Sequence, residues 1–557
     1  MARKGADELV FLPLGGVGEI GMNLGLYGWA GKWLMVDLGV SFGDETMPMI
    51  DVVMPDPAWI AERRDDLVGL VLTHGHEDHL GAVHYLWRRL GCPVYATPFA
   101  AAILRNKLHE VGLAGEVPLE VVELGGRFQA GPFDVEMVSL THSIPEPNSL
   151  AIRTPAGTVV HTGDWKFDPD PLLGLPADTE ALRRLGKEGV LALVGDSTNV
   201  FTPGESGSEA TVRANLIELI GRYTGKVAVA CFATNVARLE SIALAAQAHG
   251  REVVLVGRSL WRIDKAAREL GYLADIPPFL VDHDAGYLPN DKVLYICTGS
   301  QGEPRAALAR IAADDHPHVT LGRGDVVVFS SRVIPGNEKA IFHIQNLLVK
   351  QGVELVASRD AGVHVSGHPA RDEMAEMYRL LRPRIAVPVH GEARHLREHA
   401  ELALACGAAE APVIENGHML RLAPGPAEVV DVVPTGRLGV DGVGAEGPRL
   451  VRLDGEILRA RRRMVFNGSA VVTLVLDRAG RLVGEPQLTA LGLLDAEHEA
   501  EEHAAVVEAV EEAVGALALK ARQDDGVVRE AARRAVRRTL KEMLGHKPVT
   551  DVHLVRV

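Results

Sequence analysis

Residues Leu72–Gly81 read LTHGHEDHLG. Three imidazoles and two carboxylates fall within six residues, in a chain of 557 residues holding 22 histidines. The pattern H-x-H-x-D-H arises by chance on the order of a few times per thousand chains of such length, so it asks for a chemical reason. Neutral imidazole with carboxylate suits zinc or a similar divalent ion, and the absence of thiolate points to catalysis rather than a closed structural site. His74 and His76, two apart in a loop or at a strand end, can face one ion, while Asp78 and His79 can serve a second.

Further ligands stand in matching contexts. His142 ends MVSLTH, Asp164 ends VVHTGD and His390 ends IAVPVH, each after an apolar, strand-like run. Strand ends are where a scaffold holds side chains rigidly. Gly16–Gly21 matches G-x-G-x-x-G, but a dinucleotide site needs a helix to open there. Gly25, Gly28 and Gly31 in the following MNLGLYGWAGKWLMV break any helix, so the expectation is a glycine-rich β-hairpin.

With 47% hydrophobic and 24% charged residues, the composition is that of an ordinary globular protein. No apolar run approaches the roughly 18 residues of a membrane helix, and MARKGADELVFLPLGG lacks a signal-peptide core. The four cysteines form no C-x-x-C pair, which fits a reducing cytoplasm and no membrane partner. The net charge of −16 repels nucleic acid in bulk, so such a partner needs a local basic surface or metal ions. Basic runs at Arg459–Arg463 and around Arg533–Lys541 read as solvated faces.

The length calls for several domains. Strand-like runs with polar ends fill residues 1–208. Strand and helix alternate over 209–370, as in a parallel α/β domain. The first theme returns over 371–424, so the α/β segment is inserted into one discontinuous domain. A Pro/Gly-rich linker is expected at 425–465 and a small α+β domain at 466–557.

LTHGHEDHLG, VSLTHS, HTGDW and PVHGE resemble the successive motifs of the metallo-β-lactamase fold, with Asp37 of VDLG as its supporting aspartate. GDST at Asp196, HVSGH at His364–His368 and PVHGE at His390 resemble the extra motifs of the β-CASP nucleases. With GGVGEIGMN, SSRVIPGNE and the carboxy-terminal layout, nearly the whole chain is similar to the bacterial ribonuclease J family. The implied architecture is an α/β metallo-β-lactamase αββα sandwich with an inserted β-CASP domain and a small carboxy-terminal α+β domain.

The resemblance implies a two-zinc site, in which manganese or magnesium can substitute in vitro. His74, His76 and His142 would hold one ion and Asp78, His79 and His390 the other, with Asp164 bridging. His368, Asp78 and Asp196 are the implied catalytic residues, and Asp37 orients an imidazole. Ser331, His364, Val365, Ser366, Gly367 and His368 form the implied substrate site. The helix opening near Pro369 is expected to offer free N–H donors to a phosphate. The implied function is hydrolysis of single-stranded RNA, 5′ to 3′ with endonuclease activity, preferring 5′-monophosphate ends, in mRNA decay and rRNA maturation. A homodimer or homotetramer, contacts with other RNA-decay proteins and a further divalent cation at Asp441 belong to the same expectation. A β-CASP DNA nuclease and a thioester or lactone hydrolase on this metal scaffold are the alternatives.

Overall fold

The computed structural model of the protein describes residues 7–334, 336–444, 447–495 and 498–557. It falls into two compact units, residues up to 41 with 54–435, and residues 42–53 with 436–557.

In the first unit the aliphatic runs become strands and their polar ends become the site. Lys32–Val36, Leu67–Val71, Phe133–Ser139, Gly157–His161 and Ile385–Val389 are strands; Asp37, His74, His142, Asp164 and His390 follow them within three residues. Asp196 ends the strand Ala192–Asp196. An eight-stranded and a six-stranded sheet carry these segments. Leu9, Phe11, Tyr27 and Val36 of one sheet pack on Phe133, Val135, Ile152 and Val387 of the other, all buried. The outer face of the six-stranded sheet buries Val160 and Leu193 against Leu182, Met377 and Leu402 of three helices. The glycine-rich segment after Leu9–Gly15 returns antiparallel as Leu24–Trp29, a hairpin and not a nucleotide-binding turn.

Ile385–Val389 pairs in parallel with Ala192–Asp196, so the chain re-enters the same sheet after a long excursion. That excursion builds a second, six-stranded sheet from strands between Val227 and Ala357. All of its pairings are parallel. Glu209 and Arg238, at the starts of helices Glu209–Ile220 and Val236–Ala248, form a buried ion pair at 2.8 Å. The Arg238 guanidinium also donates to the Ser330 carbonyl (2.9 Å) and hydroxyl (2.7 Å) and to the Val363 carbonyl (3.2 Å). One side chain thus ties the strand end at Ser330 to the segment that begins HVSGH.

In the second unit, Ser469–Leu476 pairs in parallel with Val549–Arg556 and antiparallel with Gln487–Thr489. Helices Ala500–Gly515 and Asp525–Leu544 bury Val506, Val510, Val536 and Leu540 against Val472 and Leu474. The expected linker at 425–465 is instead regular structure. Glu428–Val432 extends the eight-stranded sheet of the first unit, Arg437–Gly444 pairs with Gly447–Arg452, and Glu456–Asn467 is a helix. Its glycines serve a β-ribbon, as at Gly442 (φ 73°), where the pairing is irregular between Val440 and Val443 and positive φ is needed. The cation expected at Asp441 is also excluded by its neighbours: Arg461 (2.7 Å) and Arg449 (3.4 Å) already neutralise that carboxylate. Among the described residues, no helix is long and apolar enough to cross a membrane.

Removing one partner of a buried ion pair strands the other charge, at a cost of about 3–5 kcal/mol. Arg238→Met should therefore lower unfolding stability by that order, read from denaturant midpoints near pH 7. Burial pushes the Glu209 carboxyl up, but Arg238, Asn235 and Lys166 hold it below its usual range. Its contribution is complete above the unfolded value of about 4.3 and is lost as pH falls through the depressed folded value. The Arg238→Met deficit should accordingly shrink on acidification, and a deficit independent of pH would contradict this reading.

Candidate active site

The expected ligands converge in two groups that share one carboxylate. His74 Nε2 and His142 Nε2 each lie 3.0 Å from His76 Nδ1. Asp164 Oδ2 is 3.9 Å from His74 Nε2 and 3.7 Å from His142 Nε2. In the second group, Asp164 Oδ2 lies 3.2 Å from His79 Nε2, and Asp78 Oδ2 lies 3.5 Å from the same nitrogen. His390 Nε2 is 3.7 Å from Asp164 Oδ1 and 3.8 Å from Asp78 Oδ2.

The far nitrogen of each buried ring is anchored, which fixes the tautomer and bares the near one. His79 Nδ1 donates to Asp37 Oδ2 (2.7 Å), which also accepts from the Thr73 hydroxyl (2.8 Å). His74 Nδ1 meets that same hydroxyl at 3.0 Å. His142 Nδ1 donates to the Gly367 carbonyl at 2.5 Å. His390 Nδ1 donates to Asn23 Oδ1 (2.9 Å), while the Asn23 amide nitrogen reaches the Asp78 carbonyl (3.0 Å) and His79 Nε2 (3.1 Å). Two of these residues accept left-handed backbone to be there, Asp37 at φ 61° and His390 at φ 53°. Such strain costs about 1–3 kcal/mol and persists where the surroundings enforce it; here the amide of Asp37 bonds Val71 and that of His390 bonds Gly16.

These donors fit divalent metal. Asp164 Oδ1 is buried and makes no hydrogen bond, a costly condition for an anionic oxygen unless a cation completes it. Burial drives the imidazoles of His74 and His142 well below their ordinary range and His76 to about 4, so all three are neutral and able to bind a cation. His79 is the exception. Burial opposes its protonation, but Asp164, Asp78 and Asp37 outweigh burial and raise it well above the usual value. That is the positive charge a metal ion would supply instead. Burial likewise pushes the Asp164 carboxyl up, but His390, His79 and His368 hold it well below its usual range.

His368 stands at the edge of the cluster without joining either histidine group. Its Nδ1 donates to Asp196 Oδ2 at 2.7 Å and lies 3.9 Å from Asp164 Oδ2. Its ring stacks on His390, with centroids 5.6 Å apart. The other Asp196 oxygen accepts from the Thr198 amide (2.9 Å) and hydroxyl (2.7 Å). Asp196, His368, Asp164 and His390 are also mutually close enough to form a third ligand-like group.

The six expected substrate residues separate into two sets. Gly367 and His368 reach the cluster, with Ser366 bonded to the His368 amide, and a Cβ on Gly367 would sit 2.7 Å from the His142 ring, so only glycine allows that approach. Val365 instead packs towards Gly207. His364 is half-buried near Arg238, and burial first, then that guanidinium, lowers its imidazole to about 3. Ser331 is buried between Ser330 and Arg332, the residues whose bonds hold that loop.

The helix near Pro369 does not offer the expected donors. It spans Arg371–Leu381, and its first amides are taken: Ala370 N bonds Glu373 Oε2 (2.8 Å), Arg371 N the Thr202 carbonyl (2.9 Å) and Asp372 N the Gly204 carbonyl (3.1 Å). The Glu373 carboxylate and the 202–204 backbone satisfy the helix end internally. Asn23, Thr73 and Asn199 are site residues that sequence reasoning missed, since a lone amide or hydroxyl carries no pattern.

Family models match nearly the whole chain. Residues 23–215 match the metallo-β-lactamase superfamily and 224–348 the ribonuclease J β-CASP domain. Residues 352–410 match the Zn-dependent metallo-hydrolase RNA specificity domain and 456–557 the ribonuclease J C-terminal domain. A ribonuclease J of Sinorhizobium meliloti is 48% identical over 561 residues, covering 99% of this chain and 98% of the relative. The chain belongs to the ribonuclease J family. Another family member, from Mycolicibacterium smegmatis, is 39% identical over 96% of this chain and 95% of its own. That of Corynebacterium glutamicum is 38% identical over 98% of this chain and 75% of its own. A solved structure of a protein of unknown function from Enterococcus faecalis V583 matches at TM-score 0.51 and 16% identity, covering 74% of this chain and all of that one, a likeness of fold alone. Ribonuclease J membership makes the protein a β-CASP ribonuclease with a divalent-metal centre.

Removing an outer partner of a metal ligand typically costs 10–100-fold in metal affinity. Asn23→Leu should weaken metal binding by about that factor, measured by chelator competition with elemental analysis. Asp164→Asn should lower the bound metal most. Affinity unchanged in Asn23→Leu would show that Asn23 does not orient His390.

Proposed function

We propose that this protein is a two-metal phosphodiesterase that degrades single-stranded RNA, chiefly as a 5′-to-3′ exonuclease and more slowly as an endonuclease. The observation that carries the reading is the convergence of six candidate ligand side chains on the buried Asp164 carboxylate, with the His368–Asp196 pair beside it. A set of imidazoles and carboxylates without thiolate suits zinc, with manganese or magnesium able to stand in. When bound, two divalent cations lower the pKa of water towards neutrality and neutralise the phosphodiester's charge.

The chain's own residues orient and protonate. Asp37 and Asn23 hold the His79 and His390 rings. Asp196 takes the Nδ1–H of His368, leaving Nε2–H to be delivered to the departing 3′-oxygen. Burial opposes charge on this ring, but Asp196 and Asp164 outweigh it and raise the imidazole to about 9, so the proton is in place near neutral pH. In-line displacement then leaves a 5′-phosphate on the product.

Ser366 and the exposed guanidinium of Arg332 give the 5′ end a charged acceptor's partners. A 5′-monophosphate suits them, and each cut regenerates one, so the enzyme can advance without releasing the strand. The relatives named ribonuclease J support RNA over DNA as substrate. The same reading puts the enzyme in the cytoplasm, as a homodimer or homotetramer working with other RNA-decay proteins in mRNA decay and rRNA maturation.

Labelled single-stranded RNA should be cut and matched DNA spared, with all cleavage abolished by chelator. DNA cut as fast as RNA would move the protein to the β-CASP DNA nucleases. His368→Ala should retain both metals while losing about tenfold to a hundredfold or more in rate. Loss of an ion in that variant would make His368 a ligand instead of the acid.

A further inference from the structure

Between Asp196 and the HVSGH segment lies a side chain that the mechanism above does not use. Asn199 is buried, 3% exposed, and its amide bonds three groups. Its Oδ1 accepts from Arg332 Nη1 at 2.6 Å. Its Nδ2 donates to Ser366 Oγ at 2.7 Å and to the His368 carbonyl at 3.1 Å.

The chemistry of the partners fixes the orientation of this amide independently of how its two ends are assigned. A guanidinium only donates, so the atom facing Arg332 must be the oxygen. A carbonyl only accepts, so the atom facing His368 must be the nitrogen. Reversing the amide would set two donors against each other at one end and two acceptors at the other.

This orientation decides what Ser366 can do. Its hydroxyl oxygen accepts from Asn199 Nδ2, and it accepts again from the His368 amide at 3.1 Å. A serine oxygen has two lone pairs, so both are committed. The one remaining capacity is its O–H, which must donate. With the helix amides at 370–372 consumed internally, that O–H and the exposed Arg332 guanidinium remain as donors on this side of the site.

We infer that Asn199 is a specificity-determining positioning residue, which commits Ser366 to donating towards the phosphate at the RNA's 5′ end. The inference rests on the 5′-end reading given above and deepens it. A doubly charged phosphate offers acceptor oxygens and charge, while a 5′-hydroxyl offers one neutral acceptor. The polarity imposed through Asn199 therefore favours the first.

The test compares kcat/KM of the full-length, metal-loaded protein on otherwise identical RNAs with 5′-monophosphate and 5′-hydroxyl ends. It uses wild type, Ser366→Ala, Asn199→Asp and the double variant. Asp at 199 keeps the shape but turns the donor facing Ser366 into an acceptor, so the hydroxyl donates to Asp and is withdrawn from the RNA. A hydrogen bond to a charged group makes the expected loss of the monophosphate-to-hydroxyl ratio about tenfold or more in each single variant. In the double variant Ser366→Ala should have no further effect, because the hydroxyl is already withdrawn. If Ser366→Ala cost the same factor in the Asn199→Asp background, Asn199 would act through its charge alone and the inference would fall. Equal losses on both RNAs would put the hydroxyl at the scissile phosphate and also overturn it. A wild type with no preference between the ends would remove the 5′-end reading itself, and the inference with it. Should Asn199→Asp fail to fold, judged by its unfolding midpoint, Ser366→Ala alone still decides, since a ratio kept at the wild-type value excludes the hydroxyl as the donor.

Discussion

The first unit is organised around an oxygen with nothing to bond. Asp164 Oδ1 is buried and makes no hydrogen bond, while its other oxygen faces four imidazole nitrogens within 4 Å. Desolvating a carboxylate in this way is expensive unless cationic charge compensates it. The surrounding imidazoles offset part of that cost, while Thr73, Asp37, Gly367 and Asn23 are spent on turning the rings towards that carboxylate. A fold that buries such a carboxylate among imidazoles is suited to hold an ion.

Two sheets and an inserted domain each contribute to holding that centre. Strand ends fix the lactamase-like ligands, whose apolar runs are locked into a core where a register slip would turn every inward side chain outward. The chain leaving the parallel sheet of the insert reaches the centre through Gly367, whose carbonyl meets His142, and through His368, whose ring meets Asp196. Arg238 anchors the start of this segment at Val363. The buried Glu209–Arg238 pair therefore sits two steps from the chemistry, and its contribution is to placement.

The residues that converge on Asp164 were legible in the sequence because most sit just beyond a strongly apolar run, and LTHGHEDHLG packs four of them into six positions. The hairpin at Gly16–Gly21 was legible because glycine spacing is incompatible with a helix. The helix end at Arg371 was misread for a physical reason: its donors are filled by carbonyls of Thr202 and Gly204, distant in sequence. Pro and Gly between 425 and 465 signal turns, and turns serve a β-ribbon as readily as a linker. Asp441 reads as a free acid until Arg461, on a helix, and Arg449, across the ribbon, are seen against it. Asn23 and Asn199 carry no motif of their own, and only their partners reveal what they do.

If Asp164 joins two cation sites, anomalous scattering from crystals of the metal-loaded protein, collected at the edge of the added metal, should show two peaks, one among His74, His76, His142 and Asp164, the other among Asp78, His79, His390 and Asp164. A single peak, or a peak held by Asp196 and His368 in place of either, would contradict it.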